Sequence, residues 1–165
     1  MNSALYTVGL AALLTWGVPC VAGIADSPVP ELVPGKTTFH VYSVSGVGGT
    51  VIAGCATYFS CTSTDTAPMQ VGIEVFGGAG GGPVNDATAT SLSVPPGGQV
   101  MFGTGSAVAI SIDSNLGTGV VRGSARILAT SKKLVCTAFL ADTGNAPPTS
   151  MLHLNIVANT KQKGD

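Results

Sequence analysis

Apolar residues recur at every second position along several short segments of the chain. The clearest segment is residues 70–76, where Val71, Ile73 and Val75 alternate with a glycine, a glutamate and a phenylalanine. Because neighbouring side chains of a β-strand point to opposite faces, this period of two predicts a strand with these three residues on one buried face.

Similar segments follow one another, separated by the Gly, Pro, Asn and Asp residues that favour turns. They predict about nine short strands, at residues 37–44, 50–62, 70–76, 88–94, 99–104, 107–112, 119–130, 134–141 and 151–158. The last of them places Leu152, Leu154 and Ile156 on one face. No window after residue 26 combines helical periodicity with good helix formers. The pattern predicts an all-β domain, a sandwich or a barrel, and we expect an antiparallel sandwich of two sheets.

The beginning of the chain is an apolar run of a different kind. Residues 4–18 are nearly all apolar, and no charged residue precedes Asp26. Gly23 and Ala25 provide the small side chains that a signal peptidase requires just before its cleavage point. We therefore predict a secretory signal peptide, residues 1–25, that is cleaved after Ala25. The expected location is secreted, periplasmic or at the cell surface.

Two other outcomes of this leader stay open. An uncleaved helix over residues 4–24 would have about the 20 residues that a bilayer requires, and Cys20 could carry a lipid. After the leader, the prolines of residues 26–36 predict an extended linker, because proline lacks a backbone donor and restrains the residue before it. The β-sandwich domain follows at residues 37–158, and residues 159–165 form a polar tail.

Charged residues are scarce and nearly balanced. They make up 9% of the 165 residues, the formal net charge is −1, and glycine alone contributes 23 residues. Without a basic field we expect no nucleic-acid partner, and contact with a membrane only through residues 1–25 if these are retained. The expected partner is an unidentified protein or another component of the cell envelope.

Four cysteines restrict the disulfides that the exported chain can form. Cys20 leaves with the signal peptide, so Cys55, Cys61 and Cys136 remain. Cys55 and Cys61 fall on one predicted strand, about 20 Å apart at the usual rise per residue, which is too far for a bridge. We predict the Cys61–Cys136 bridge and a free Cys55 in an oxidising compartment. A Cys55–Cys136 bridge, or no bridge, remains an alternative.

One stretch resembles a known class of domain. Residues 91–102, with a Pro-Pro-Gly-Gly turn at residues 95–98 between two strands, look like the corresponding stretch of bacterial immunoglobulin-like surface domains. Cys61 and Cys136 are similar to the pair that bridges the two sheets of such domains. The resemblance implies an immunoglobulin-like sandwich in which this bridge joins one sheet to the other, and it assigns no function.

Few side chains suit a metal site. The two histidines, His40 and His153, fall on the first and the last predicted strand, which could pair and bring them together. Cys136, Met151 and His153 would supply three ligands of a blue-copper centre, but the interval from Cys136 to His153 is too long for such a centre. We therefore expect both histidines to be ordinary strand residues, and no metal or other cofactor to bind.

Catalytic motifs are also scarce. Glu74 is the one glutamate within a predicted strand, while Asp86, Asp113 and Asp142 fall in loops or at strand ends. Aspartates in such places usually cap backbone N–H groups. The glycines of residues 77–82 lack the lysine and the helix of a phosphate-binding loop, and no serine lies in a Gly-x-Ser-x-Gly elbow. We therefore expect no catalytic residues and no enzymatic activity.

The positive charges gather near one strand. Arg122 and Arg126 fall on one face of it, and Lys132 and Lys133 follow closely. Such a group could attract an anionic glycan or phosphate, but charges of this kind more often keep a sheet face soluble. Together these features predict an exported, non-catalytic structural or interaction module of the bacterial envelope or the extracellular space. A glycan- or ligand-binding module is the alternative, and a secreted enzyme ranks third.

Overall fold

The computed structural model of the protein describes residues 23–49, 54–78 and 80–159. Within these ranges the chain forms ten strands: β1 (Phe39–Val47), β2 (Cys55–Ser63), β3 (Met69–Gly77), β4 (Leu92–Val94), β5 (Gln99–Gly103), β6 (Ser114–Asn115), β7 (Gly123–Ala129), β8 (Leu134–Asp142), β9 (Met151–His153) and β10 (Ile156–Ala158). The predicted all-β class is confirmed. Most of the predicted signal peptide, the beginning of the predicted second strand and nearly all of the polar tail lie outside the described residues.

The strands form two sheets of five strands each. The first sheet has the order β10–β1–β7–β3–β4, and the second sheet has the order β6–β5–β2–β8–β9. Neighbouring strands are antiparallel except β5 and β6, which are parallel. Consecutive strands such as β1, β2 and β3 alternate between the sheets, so the chain crosses repeatedly from one layer to the other. This arrangement is consistent with the expected two-sheet sandwich.

One apolar core fills the space between the two sheets. The first sheet contributes Val71, Ile73 and Val75 of β3, which are fully buried, as the period of two in that strand predicts. The second sheet contributes Phe59 of β2 and Phe102 of β5, which are also fully buried. Complete burial of one such side chain stabilises a fold by about 1.5–3 kcal/mol, so this core provides a large part of the folding free energy.

The outer face of the first sheet is buried as well. Gly72, Glu74 and Phe76 alternate with the core residues of β3 and point to the opposite face, yet each of them is buried. Antiparallel sheets commonly have one face on the core and the other in water. Burial on both faces of β3 therefore requires another layer of chain outside the sheet.

That layer includes residues 26–36, which form the N-terminal strap. Leu32 of the strap packs against Leu128 of β7, and the two side chains are 5% and 0% exposed. Gly72 leaves room for the strap, since a Cβ at that position would lie 2.8 Å from Cδ2 of Leu32 and 3.0 Å from the carbonyl oxygen of Ala87. The segment expected to be an extended linker is thus packed onto the sheet.

The sixth predicted strand, residues 107–112, does not form. It belongs to a covering loop, residues 105–113, which lies on the outer face of the second sheet. Ala107, Ile110 and Ile112 pack there against the side chains of β2 and β8. An alternating segment becomes a strand only where a neighbouring strand can accept its hydrogen bonds, and pairing with β5 begins only after the loop, at β6.

The last predicted strand, residues 151–158, is divided between the two sheets. β9 pairs with β8 in the second sheet, whereas β10 pairs with β1 in the first sheet. The prediction that Leu152, Leu154 and Ile156 share one face is therefore wrong. Leu152 is 61% exposed, whereas Leu154 and Ile156 pack against the core between the sheets.

Candidate functional site

The predicted disulfide forms between Cys61 of β2 and Cys136 of β8, which are 75 residues apart in the chain. The two cysteines lie directly opposite each other in neighbouring strands, with 4.1 Å between their Cα atoms. The bridge therefore lies within the second sheet, and the expectation that it joins the two sheets is wrong. Both cysteines belong to the core, which makes the bridge a structural element. Cys55, at the start of β2, is free and half-buried.

The two histidines lie in different sheets. His40 belongs to β1 of the first sheet, and His153 belongs to β9 of the second sheet, where it is exposed. The end of the chain does pair with β1, but the pairing strand is β10, which does not contain His153. Cys136 is bound in the disulfide. In the described part of the chain, no three His, Cys, Asp or Glu side chains lie close enough to hold a metal ion.

The candidate aspartates accept hydrogen bonds from backbone N–H groups. Asp86 accepts bonds of 2.9 and 3.2 Å from the backbone N–H groups of Thr88 and Ala89, and the start of the predicted fourth strand is a turn. Asp113 accepts a bond of 2.7 Å from the backbone N–H of Met101. Backbone N–H groups and side chains of the following loop hold the pKa of the Asp142 carboxyl at about 2. Asp86 and Asp142 therefore organise the chain that follows them, whereas Asp113 binds the backbone of β5.

Arg126 forms a buried ion pair. It lies opposite Glu74 in neighbouring strands, and its Nε donates to a carboxylate oxygen of that residue. The two residues are only 2% and 4% exposed. The prediction that Arg126 shares a soluble sheet face with Arg122 is therefore wrong, since Arg122 is exposed. Lys133 forms its own ion pair with Asp65, at 3.3 Å, so the four cations do not form one patch.

The guanidinium of Arg126 also holds the N-terminal strap. Its Nη1 and Nη2 donate to the backbone carbonyl oxygens of Ser27 and Pro28, at 2.8 and 2.6 Å. The ring of Phe76 lies beside it, with 5.3 Å between the guanidinium carbon and the ring centroid. Hydrogen bonds from a charged donor are roughly twice as strong as neutral ones. The ion pair therefore fixes the strap at a defined position on the first sheet.

A cleft of about 430 Å³ lies beside this ion pair, between the strap and β1. Its polar lining comes from Ser27, His40, Ser43, Arg126 and Asn159. Nε2 of His40 lies 3.0 Å from Oγ of Ser43, so these two side chains are hydrogen-bonded. Burial lowers the pKa of His40, and the positive charge of Arg126 lowers it further. The imidazole is therefore neutral at neutral pH.

A second candidate site is the terminal edge, formed by β9 and β10. Each strand is the last of its sheet, and only two residues separate β9 from β10 in the chain. The side chains of Met151, Leu152 and Val157 are 55%, 61% and 54% exposed. The sequence from residue 143 to residue 160 contains no Asp, Glu, Lys or Arg. Proteins usually protect an open strand edge with charges, prolines or bulges, so an uncharged edge of this kind is suited to pairing with another strand.

Comparison with protein-family models, with curated proteins and with solved structures found no match to this chain. Among the described residues, no helix has the length and apolar character needed to cross a membrane. The structural class of the protein is therefore described from its own fold and contacts. It is an all-β domain of two sheets with a disulfide inside one of them, a strap held by a buried ion pair, and an uncharged terminal edge.

Proposed function

We propose that the protein is an exported, non-catalytic interaction module of the bacterial cell envelope or the extracellular space. It binds an extended, uncharged segment of another protein along the terminal edge. The observation that carries this proposal is that β9 and β10, at the ends of the two sheets, contain no Asp, Glu, Lys or Arg and expose the apolar side chains of Met151, Leu152 and Val157.

Export is supported by the apolar leader and by the disulfide. Cytosolic thiols are kept reduced, whereas disulfides persist outside the cytoplasm. Mass spectrometry of the protein recovered from the medium, the periplasm or the cell surface should find Asp26 as the first residue and an intact Cys61–Cys136 bridge. A chain that stays in the cytoplasm with reduced cysteines would contradict export.

An immunoglobulin-like relation is the fold assignment that we propose within this class. It is supported by the turn at residues 95–98 between two strands and by the two facing sheets. The position of the Cys61–Cys136 bridge inside one sheet is a departure from the resemblance. The proposed relation therefore concerns the sandwich architecture and not the disulfide.

The chemistry of the terminal edge determines the kind of partner. An edge strand offers its backbone N–H and C=O groups to an incoming extended segment, and its exposed side chains select among such segments. Met151 and Leu152 of β9 and Val157 of β10 offer only apolar surface. A charged segment would lose water here without gaining an oppositely charged partner, which is costly. An uncharged segment with alternating apolar residues therefore fits this edge.

Matched charge substitutions test the role of the edge. Val157 on β10 and Val121, two residues before β7, are 54% and 55% exposed, so Val157→Lys and Val121→Lys add the same charge at the same exposure. The probe is a set of uncharged decapeptides of alternating Val and Thr, with binding measured by fluorescence anisotropy. We expect Val157→Lys to weaken peptide binding by about tenfold or more, because a lysine blocks strand pairing. Val121→Lys should leave peptide binding unchanged.

Amide hydrogen exchange then locates the bound peptide. In the wild-type protein we expect protection to increase in β9 and β10 only. Equal weakening by the two lysine variants, or a wild-type protein that binds none of the peptides, would contradict the proposal. Light scattering on the same samples tests a different occupant, since dimers that Val157→Lys abolishes would assign the edge to a second copy of this chain.

A further inference from the structure

We propose that the cleft beside Arg126 is a binding site for a short aliphatic carboxylate. The cleft lies on the outer face of the first sheet, between the N-terminal strap and β1. This inference goes beyond the proposed function, because it depends neither on the terminal edge nor on the protein that binds there.

The ion pair presents its positive end to this cleft. Glu74, Arg126 and Ser43 lie side by side on β3, β7 and β1, since Arg126 is opposite Glu74 on one side and opposite Ser43 on the other. The cleft is on the side of Ser43. Arg126 lines the cleft and Glu74 does not, so a partly desolvated anion in the cleft lies nearer to the cation and is attracted more than it is repelled.

Two further side chains can respond to a bound carboxylate. Oγ of Ser43, 3.0 Å from Nε2 of His40, can turn its proton toward a carboxylate oxygen. His40 lies in the positive field of Arg126, which adds to the effect of burial in lowering the pKa of the imidazole. A negative charge in the cleft opposes that field, because a nearby anion favours the protonated imidazole. His40 is therefore a built-in reporter of anion binding.

The dimensions and the apolar wall indicate a small aliphatic ligand. A cleft of about 430 Å³ is within the range of roughly 300–1,000 Å³ that is typical of small-molecule sites. Val29 of the strap provides apolar surface beside the polar groups. Ile24 and Ala25 also line the cleft, and cleavage after Ala25 would remove them and widen its opening. The proposal rests on residues that lie after this cleavage point.

Such a carboxylate occurs on a free short-chain acid and at the C-terminus of a peptide. Butanoate represents the first source, and N-acetylalanylvaline represents the second. Butan-1-ol and the amide of the same peptide are the matched uncharged controls. The carboxylate that binds more tightly identifies the source, and both carboxylates should bind more tightly than their uncharged controls.

A pair of serine variants tests the site by NMR titration of the secreted protein. Ser43 and Ser45 both lie on β1, but only Ser43 lines the cleft, while Ser45 pairs with Ser124. We expect Ser43→Ala to weaken carboxylate binding about tenfold, because a hydrogen bond to a charged group is lost. Ser45→Ala should bind like the wild type. In the wild-type protein, the carboxylate should also shift the His40 imidazole resonances and raise the pKa of that group.

Three results would overturn the proposal. The uncharged controls could bind as tightly as the carboxylates, the two serine variants could weaken binding equally, or the resonances of His40 could stay unchanged at saturation. None of these results bears on the terminal edge, so the failure of this site and the failure of the proposed function are distinguishable.

Discussion

Both sheets of this protein carry a cover on their outer face, and the two covers are built differently. On the first sheet, the N-terminal strap is held by Arg126, whose guanidinium bonds to Glu74 and to two carbonyl groups of the strap. On the second sheet, the covering loop, residues 105–113, lays apolar side chains such as Ile110 against Tyr58 and its neighbours. One cover is positioned by charge and the other by apolar contact.

Buried polar atoms are satisfied under the strap but not under the covering loop. Three nitrogen atoms of Arg126 have acceptors. Among the described residues, the hydroxyl of Tyr58 is buried without a hydrogen-bond partner, and burial raises the pKa of that hydroxyl. A displaced strap would leave Nη1 and Nη2 of Arg126 without their carbonyl acceptors, and losing hydrogen bonds to a charged group is costly. Apolar contacts impose no such directional requirement, so the strap is the more strictly positioned of the two covers.

Of the changes that test this contrast between the two covers, the removal of Arg126 should lower the stability of the protein most. In Arg126→Met the carboxylate of Glu74 stays buried without its partner, so we expect the free energy of unfolding in urea to fall by about 3–5 kcal/mol. Arg122→Met, at an exposed arginine, should change it by less than about 0.5 kcal/mol. A double variant with Glu74→Gln should recover part of the loss. A double variant as unstable as Arg126→Met alone would show that an unpaired charge is not the cause.

A larger side chain beneath the strap should cause the next largest loss of stability. In Gly72→Ala the new methyl group would lie 2.8 Å from Cδ2 of Leu32 and 3.0 Å from the carbonyl oxygen of Ala87. Leu32 can move but the backbone carbonyl yields less, so we expect a loss of about 1–3 kcal/mol in thermal unfolding. The control is Gly77→Ala in the same strand, where a Cβ would meet Val84 at an ordinary 3.9 Å. Equal destabilisation by both variants would show that the strap does not lie close to Gly72.

Acidification should weaken the side of the molecule that carries the strap. Burial and the charge of Arg126 lower the pKa of His40 below its usual 6.5, so the folded state favours the neutral imidazole and the unfolded state binds the proton more readily. This contribution to stability is complete above pH 6.5 and is lost as the pH falls toward the lower pKa of the folded state. Urea unfolding from neutral pH to about pH 5 measures the loss. His40→Gln should make the free energy of unfolding depend less steeply on pH over this range.

The smallest effect should come from the apolar cover. Tyr58→Phe removes a hydroxyl that has no partner, so we expect stability to change by less than about 0.5 kcal/mol or to rise. Tyr42→Phe is the matched control, because the hydroxyl of Tyr42 donates to the carbonyl oxygen of Leu134 at 2.6 Å. Its loss should cost about 1 kcal/mol in urea unfolding. A larger loss in Tyr58→Phe than in Tyr42→Phe would contradict the contrast between the two covers.

The alternation of apolar residues predicted most of the strands but did not predict which strands pair with each other. The alternation in β3 and the turns between strands depend on neighbouring residues, so most strands could be predicted. Residues 107–112 have the same alternation and form a loop, and residues 151–158 divide between two sheets. Pairing is decided by segments that are distant in the chain, and a strand pattern does not say which segment will be adjacent.

The two candidate sites also differ in how much of each could be predicted from the sequence. The absence of Asp, Glu, Lys and Arg from residues 143–160 is visible in the sequence, but the position of this stretch at the ends of both sheets is not. In the sequence, Glu74 and Arg126 look like ordinary charged residues of strands. Nothing in the neighbouring sequence indicates that residues 26–36 would cover them. Arg126 binds backbone carbonyl groups of this segment, and every residue type has such a group. The sequence by itself determined that the chain forms sheets with one apolar face. Only the tertiary structure decided that the opposite faces are also covered, because burial there depends on contacts between residues about 100 positions apart, such as Ser27 and Arg126.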